Sequence, residues 1–463
     1  MPTRTGWGDV VLEAADSKPS RELDPDRDFS MLILGDFSGR ANPPERLEPV
    51  RIDIDNFDGV LSWFDVSLVA AGVRLRFDEI EDFHPNCILR NSGVRAAAES
   101  LPVEPVPAAV KSDPAPPAGS GNLLEAMLEK VQGPGPVALP PISRPKDTFA
   151  ELLEQVTRPH LETAPDPRAR EVESALARQL RAILHDPAFQ ALEATWRGLE
   201  FLVRSIDWGS PVRLSLMDVD LAGLRTDPVK VVHAVRSAAA KGPYAVIAGL
   251  YQFGDSVEDL VLLSTLGQLA AAEGVSFLAG ASSRLLGCES LAQSPDPGDW
   301  QPLPDLLAKV WDAIRQGQEA KSIGLLEPRF LLRMPYGRET DPVDRLAFEE
   351  FPEAPLQEHY LWGHPAFACL SLLAASFSED GWNMRPGRNL RIGNRPLHIY
   401  KKDGEAVAQP CAEALLSDNA IEAILDRGLM PLAPVRNQDA FWIARMQSIA
   451  DPPTGLSGSW IPG

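Results

Sequence analysis

The chain has 463 residues and a formal net charge of −21, long enough for two or three domains with separate cores. The acidic excess excludes nucleic acid and an anionic membrane surface as main partners, because both need a basic face. The hydrophobic fraction is that of an ordinary soluble protein. No stretch approaches the roughly 18 uncharged apolar residues of a membrane span, so no membrane insertion is expected. The N-terminus, Met1-Pro-Thr-Arg-Thr-Gly-Trp7, lacks the apolar run of a signal peptide. Cys87, Cys288, Cys369 and Cys411 lie far apart and are expected as reduced thiols in a cytoplasmic protein.

In chain order, residues 1–28 are polar and charged, and read as extended or flexible. Phe29–Gly35 is an apolar run closed by a turn signal, which suits a buried strand. Val73–Phe77 alternates apolar and charged residues, as a half-buried strand does. These elements predict a small α/β or mostly β unit over residues 1–100. The proline-rich stretch 101–121 cannot build a core and reads as a semi-rigid linker. A short helix follows at Asn122–Val131, with Asn122 as N-cap and Glu125 three residues on. Such a short helix is marginal alone and is expected to dock on something through Leu123, Leu124, Met127 and Leu128. A second proline-rich piece, Gly133–Pro145, completes a linker over 101–146.

The body is expected over 147–455, with 456–463 as a flexible tail. Arg170–Leu184 and Pro187–Val203 read as helices. The second has Asp186 as N-cap and Pro187 at its first position, with Phe189, Leu192, Trp196, Leu199 and Leu202 on one face. Strands are expected at Val212–Met217, Tyr244–Ala248 and Val275–Ala279, separated by helices at Pro228–Ala240 and Val257–Ala272. Strands alternating with helices across short connections predict an α/β fold: a parallel or mixed sheet flanked by helices. Further on come a helix at Leu303–Gln316, an apolar segment at Phe330–Met334 and an apolar helix at His364–Phe377. Arg391–Tyr400 reads as a strand or hairpin, and Asp418–Asp426 as a helix ended by Gly428.

No common catalytic constellation is present. The sequence holds no phosphate loop, no dinucleotide fingerprint, no H-E-x-x-H, no C-x-x-C and no G-x-S-x-G. Asp53, Asp55 and Asp58 form an acidic run that fails as a calcium loop, since its twelfth position falls on Phe64. His359 and His364 are spaced poorly for two ligands on one helix face and read as structural. Glu349 and Glu350 are adjacent, so their side chains point apart and do not form an acid–base pair. Arg329, Arg333 and Arg338 are expected to pair with nearby carboxylates rather than bind an anion. No cofactor and no metal are implied.

The block Ile183–Val203, which reads Ile-Leu-His-Asp-Pro-Ala-Phe-Gln and ends in Trp196-Arg-Gly-Leu-Glu-Phe-Leu-Val, resembles the signature of the large subunit of the type VI secretion sheath, the TssC/VipB family. Tyr244–Asp259, Trp311–Gly337, Phe348–Glu350, Tyr360–Gly363 and Phe377–Trp382 resemble further blocks of that family in its order, although Leu250 stands where the family has an acidic residue. The likeness covers roughly residues 122–450. It implies a non-enzymatic structural protein, with Phe189, Trp196, Arg197, Arg333, Pro335, Tyr336 and Trp362 as packing residues of the core and of contacts between subunits. It implies other sheath subunits, inner tube or baseplate proteins as partners. The helix at Asn122–Val131 is similar to one that a ClpV-type ATPase recognises in the family.

Leu32–Arg40, Ile54–Asp58, Leu75–Phe77 and Asp82–Pro85 resemble the small subunit, TssB/VipA. The resemblance therefore implies a small-subunit-like front fused to a large-subunit-like body. The small-subunit likeness stops near residue 96, and the large subunit's usual closing segment, with its R-F-x-H-Y motif, is not found. Strands at such termini are exchanged between sheath subunits, so weakened polymerisation is expected. The reading is a sheath-like subunit that forms, caps or regulates the sheath. The alternatives are an adaptor that recruits the ATPase, and an enzyme with an unrecognised α/β site.

Overall fold

Strand β1 (Phe29–Gly35) explains the architecture. Phe29, Met31 and Ile33 enter one apolar core, whereas Leu32 and Leu34 enter another. A strand apolar on both faces needs cover on both sides, which a large parallel sheet supplies. In the computed structural model, which describes residues 26–40, 47–100, 167–254 and 256–460, β1 lies inside such a sheet, between the strands Val212–Asp218 and Val246–Phe253.

The strands, in chain order, are β1, β2 (Val50–Ile52), β3 (Val66–Ala70), β4 (Val73–Phe77), β5 (Val212–Asp218), β6 (Val246–Phe253), β7 (Ser276–Ala281), β8 (Ile323–Glu327), β9 (Phe330–Leu331), β10 (Trp362–Gly363), β11 (Arg391–Ile392), β12 (His398–Lys402), β13 (Glu405–Gln409), β14 (Met430–Pro434) and β15 (Phe441–Ile443). Nine form one sheet, in the order β11-β15-β14-β8-β7-β6-β1-β5-β2. From β14 to β5 all neighbours are parallel, and antiparallel strands close both edges. The expected α/β class with a mixed sheet is therefore present.

The helices are α1 (Phe57–Trp63), α2 (Pro85–Ile88), α3 (Ser92–Glu99), α4 (Pro167–Leu184), α5 (Pro187–Ser205), α6 (Leu221–Thr226), α7 (Pro228–Lys241), α8 (Val257–Glu273), α9 (Asp305–Arg315), α10 (Ala366–Asp380) and α11 (Asp418–Asp426). Apolar residues of α5 and α10 join the core holding Phe29, Met31 and Ile33. Those of α7, α8, α9 and α11 join the core on the other face. The result is three layers, helix–sheet–helix. Each fully buried Leu, Ile, Val or Phe adds about 1.5–3 kcal/mol relative to an exposed one.

Met1–Ala98 and Leu176–Gly463 belong to one compact unit, and Glu99–Ala175 to a second. Of the second unit, only residues 99–100 and 167–175 are described. The N-terminal segment thus shares its core with the body: β1 pairs β5 and β6, β2 pairs β5, and only β3 and β4 form a small sheet of their own. The expected helix at 122–131 lies outside the described residues. Of the tail expected to be flexible, residues 456–460 are described, and they are packed. Leu456 and Trp460 are buried, and the Trp460 ring lies 6.4 Å from Phe29, because an indole and a leucine in eight residues carry more apolar surface than a solvated tail does.

Arg391–Tyr400 splits into two roles. Arg391–Ile392 forms an edge strand of the large sheet, and His398–Lys402 pairs with Glu405–Gln409 as a hairpin. Its turn residues Asp403 and Gly404 both have positive φ, 53° and 87°, the backbone of a type I′ turn and the reason glycine suits the second position.

Candidate functional site

Helix α5 carries the residues around which the molecule closes. Asp186 caps it, as the sequence implies: Oδ1 accepts from the backbone N–H of Ala188 at 2.9 Å and of Phe189 at 3.4 Å. Its other oxygen accepts from Ala71 N at 3.1 Å, beside the β3–β4 turn. The apolar face then buries Phe189, Leu192, Trp196, Leu199 and Leu202. Phe189 meets Phe77 and Phe83, themselves stacked at 4.0 Å. Trp196 lies edge-on to Phe37, Phe57 and Phe64, and its indole N–H donates to Phe37 O at 2.9 Å. Between them, Gly198 lets α10 approach: a Cβ there would sit 2.4 Å from the Phe367 ring.

The same face also buries a carboxylate. Glu193 has no exposed surface and accepts from Arg197 Nε at 2.7 Å, one helical turn on. It also takes Arg333 Nε at 2.9 Å and Nη2 at 3.2 Å. Arg333 then donates to Glu350 at 2.8 Å and 3.3 Å, and the Tyr336 N–H donates to the same carboxylate at 2.7 Å. Glu350 N returns a bond to Tyr336 O at 2.8 Å, and Arg197 Nη2 donates to the Tyr336 hydroxyl at 3.0 Å. The Arg333 guanidinium lies 4.1 Å over the Tyr336 ring.

Two arginines, two glutamates and a tyrosine thus tie α5 to the segments 333–337 and 348–350. Burial works against the charge on Arg333, but Glu193 and Glu350 hold its pKa well above the ordinary value. Burial likewise opposes the Glu350 carboxylate, yet Arg333, His185 and the Tyr336 N–H hold it down at about 2. Tyr336 is pushed up by burial. Every charge here has an opposite charge in contact, which is the condition for keeping ions out of water. No member is held free for proton transfer, so the geometry suits a structural joint.

The signature residues fall into three places. Phe189 and Trp196 are in the core; Arg197, Arg333, Pro335 and Tyr336 are in or beside the joint; Trp362 is in a small satellite core with Leu331 and Tyr360. Leu123, Leu124, Met127 and Leu128 lie outside the described residues. Arg329 pairs with Glu413 at 2.6 Å and 2.9 Å. Arg329 and Arg333 therefore do pair with carboxylates, mostly ones remote in sequence. Glu349 and Glu350 diverge: Glu349 accepts from Arg338 N at 3.1 Å. His364 holds Tyr251 O at 3.0 Å, with burial pushing its pKa down to about 4. Asp53 accepts the backbone N–H of Asp55 and Asn56 in a turn before α1.

The sequence reading missed Glu193 and His185. Glu193 carried a signal: it sits on the apolar face of an amphipathic helix, where a charge needs a partner.

A polar cleft of about 310 Å³ opens at the carboxyl ends of β6, β7 and β8. It is lined among others by Gln252, Ser283, Glu327, Arg329 and Glu413. Its described lining residues include no histidine and no cysteine. Among the described residues, no three His, Cys, Asp or Glu side chains gather as a metal site needs, and no helix is long and apolar enough to cross a membrane.

The fold and joint define a packing protein built on a large α/β core. Residues 166–450 match the family described as VipB: EvpB/VC_A0108, tail sheath N-terminal domain, and the chain belongs to that family. It is also similar to the type VI secretion system sheath protein TssC1 of Pseudomonas aeruginosa, 28% identical over 303 residues. That match covers 61% of this chain and 60% of the relative, so the chain spans less than two thirds of the relative's length.

Proposed function

We propose that this chain is a structural, non-catalytic sheath subunit of a type VI secretion system, in which one polypeptide supplies both a small-subunit-like segment and a large-subunit-like body. The family match places the body among tail sheath proteins. The observation that carries the fused reading is the bond from the Trp196 indole to Phe37 O. Trp196 stands in the block that resembles the large subunit, and Phe37 in the block that resembles the small one. The paired Asn86 and Asp344 join the same two parts again, at 3.0 Å and 3.1 Å. On this reading the partners are other sheath subunits in the bacterial cytoplasm, and the segment 122–131 offers its apolar residues to a ClpV-type ATPase.

The test mixes the purified full chain with sheath subunits of the same organism, then sediments and images the mixture. Incorporation into sheath, or capping of it, is expected. A chain that neither polymerises nor binds sheath subunits overturns the proposal.

A further inference from the structure

Three of the seven histidines gather beside the charged joint. His185, at the corner between α4 and α5, stacks on His359, their ring centroids 3.9 Å apart and nearly parallel at 11°. His185 also stacks on Phe351 at 5.7 Å, and its buried Nε2 faces Glu350 Oε1 at 3.6 Å. Phe351 packs on Tyr360, and the Tyr360 hydroxyl lies 2.7 Å from His398 Nδ1 on β12. Gln190 of α5 holds the His359 carbonyl at 3.1 Å. The hairpin β12–β13 is otherwise largely solvent-facing, with Ile399 63% exposed. A two-stranded hairpin is barely stable by itself, so what holds it is this aromatic relay back to the joint.

We propose that the stacked pair His185–His359 is an acid-sensitive latch, closed while the His359 ring is neutral and parted when acid protonates that ring, loosening the 357–363 segment and the β12–β13 hairpin. Several charged groups face the pair. From the 348–351 segment, Glu350 lies 3.6 Å from His185 Nε2 and is itself paired with Arg333. From its own turn, Glu358 acts on His359, and from β12 His398 approaches through Tyr360 and Phe351. A proton on His359 would place a cation in the half-buried stack, face to face with the His185 ring. Burial and the neighbouring His185 already lower the His359 pKa, and burial lowers that of His398.

The sign follows. Above about pH 6.5 both the closed and the open forms are neutral at His359, and pH has no effect. Below it the open form takes the proton and the closed form does not. Opening therefore rises by up to about tenfold per pH unit for each proton gained.

Hydrogen exchange of the full chain, compared at pH 7.5 and 5.5 after correction for the intrinsic chemical rate, tests the latch. Protection of residues 357–363 and 398–409 is expected to fall about tenfold, while β6 and β7 hold theirs. His359→Phe keeps a stacking ring and removes the proton site, so it should abolish the pH effect while keeping protection at pH 7.5. His359→Gln serves as the second variant if phenylalanine does not fit. Unchanged protection in the natural chain at pH 5.5, or an equal loss in both variants, overturns the inference.

Discussion

The sheet and the charged joint are both buried, and they hold the molecule in opposite ways. In β1, β6 and β7 almost every side chain is apolar and belongs to one of two dry cores. The joint of Glu193, Arg197, Arg333, Tyr336 and Glu350 is closed by matched charges. Apolar cores tolerate changes that conserve volume, whereas a buried ion tolerates no loss of its partner. The sheet therefore accounts for most of the stability. The joint fixes how α5 meets the 333–350 segment, at the cost of desolvating four charges.

This contrast is broken most severely by Glu350→Ala, which leaves Arg333 and the Tyr336 N–H short of an acceptor. A loss of about 3–5 kcal/mol in chemical denaturation is expected. A loss under about 1 kcal/mol would show that water or another carboxylate replaces it. Next comes Gly198→Ala, which drives a methyl into Phe367 and should cost up to about 3 kcal/mol. Phe367→Leu in the same chain should recover part of that, because the clash is with the ring. If the double variant is as weak as the sum of the two, the close approach is not the cause.

A smaller effect, about 1–2 kcal/mol, is expected for Trp196→Phe, which keeps an aromatic ring but strands the buried Phe37 carbonyl. Smallest is a pH effect. The Glu350 pKa is lowered to about 2, so its contribution is complete above the ordinary carboxylate value near 4.5 and is lost as pH falls toward 2. Glu350→Gln should flatten the acid arm of the stability curve by up to about 1.4 kcal/mol per pH unit. An unchanged slope would place the titration elsewhere.

Elements with a clear period were legible in the sequence. Helix α5 and its Asp186 cap, strands β1, β4 and β5, and helices α7, α8 and α11 lie where spacing put them, within a few residues. Strands β8 and β14 were not legible. Ile323–Glu327 and Met430–Pro434 are short and buried throughout, so they show no alternation. The interior place of β1 was hidden for a different reason. Its partners begin at Val212 and Val246, and pairing across so long a separation leaves no local mark.

The same applies to the joint. Arg197 and Glu193 are one helical turn apart and readable, but Arg333 reaches Glu193 across 140 positions. Only the family resemblance drew Trp196, Arg197, Arg333 and Tyr336 into one group. The shared physical role of Arg197, Arg333 and Tyr336, keeping two buried carboxylates neutralised and bonded, comes from the geometry.

The central claim is that the N-terminal segment is part of the body's fold, with β1 seated between β5 and β6. Native-state hydrogen exchange of the full chain tests it directly, by comparing amides of Phe29–Gly35 with those of Val246–Phe253. The account expects both strands to exchange only through global unfolding, with equal opening free energies and equal losses in Trp196→Phe. Fast exchange confined to Phe29–Gly35, with β6 still protected, would contradict it.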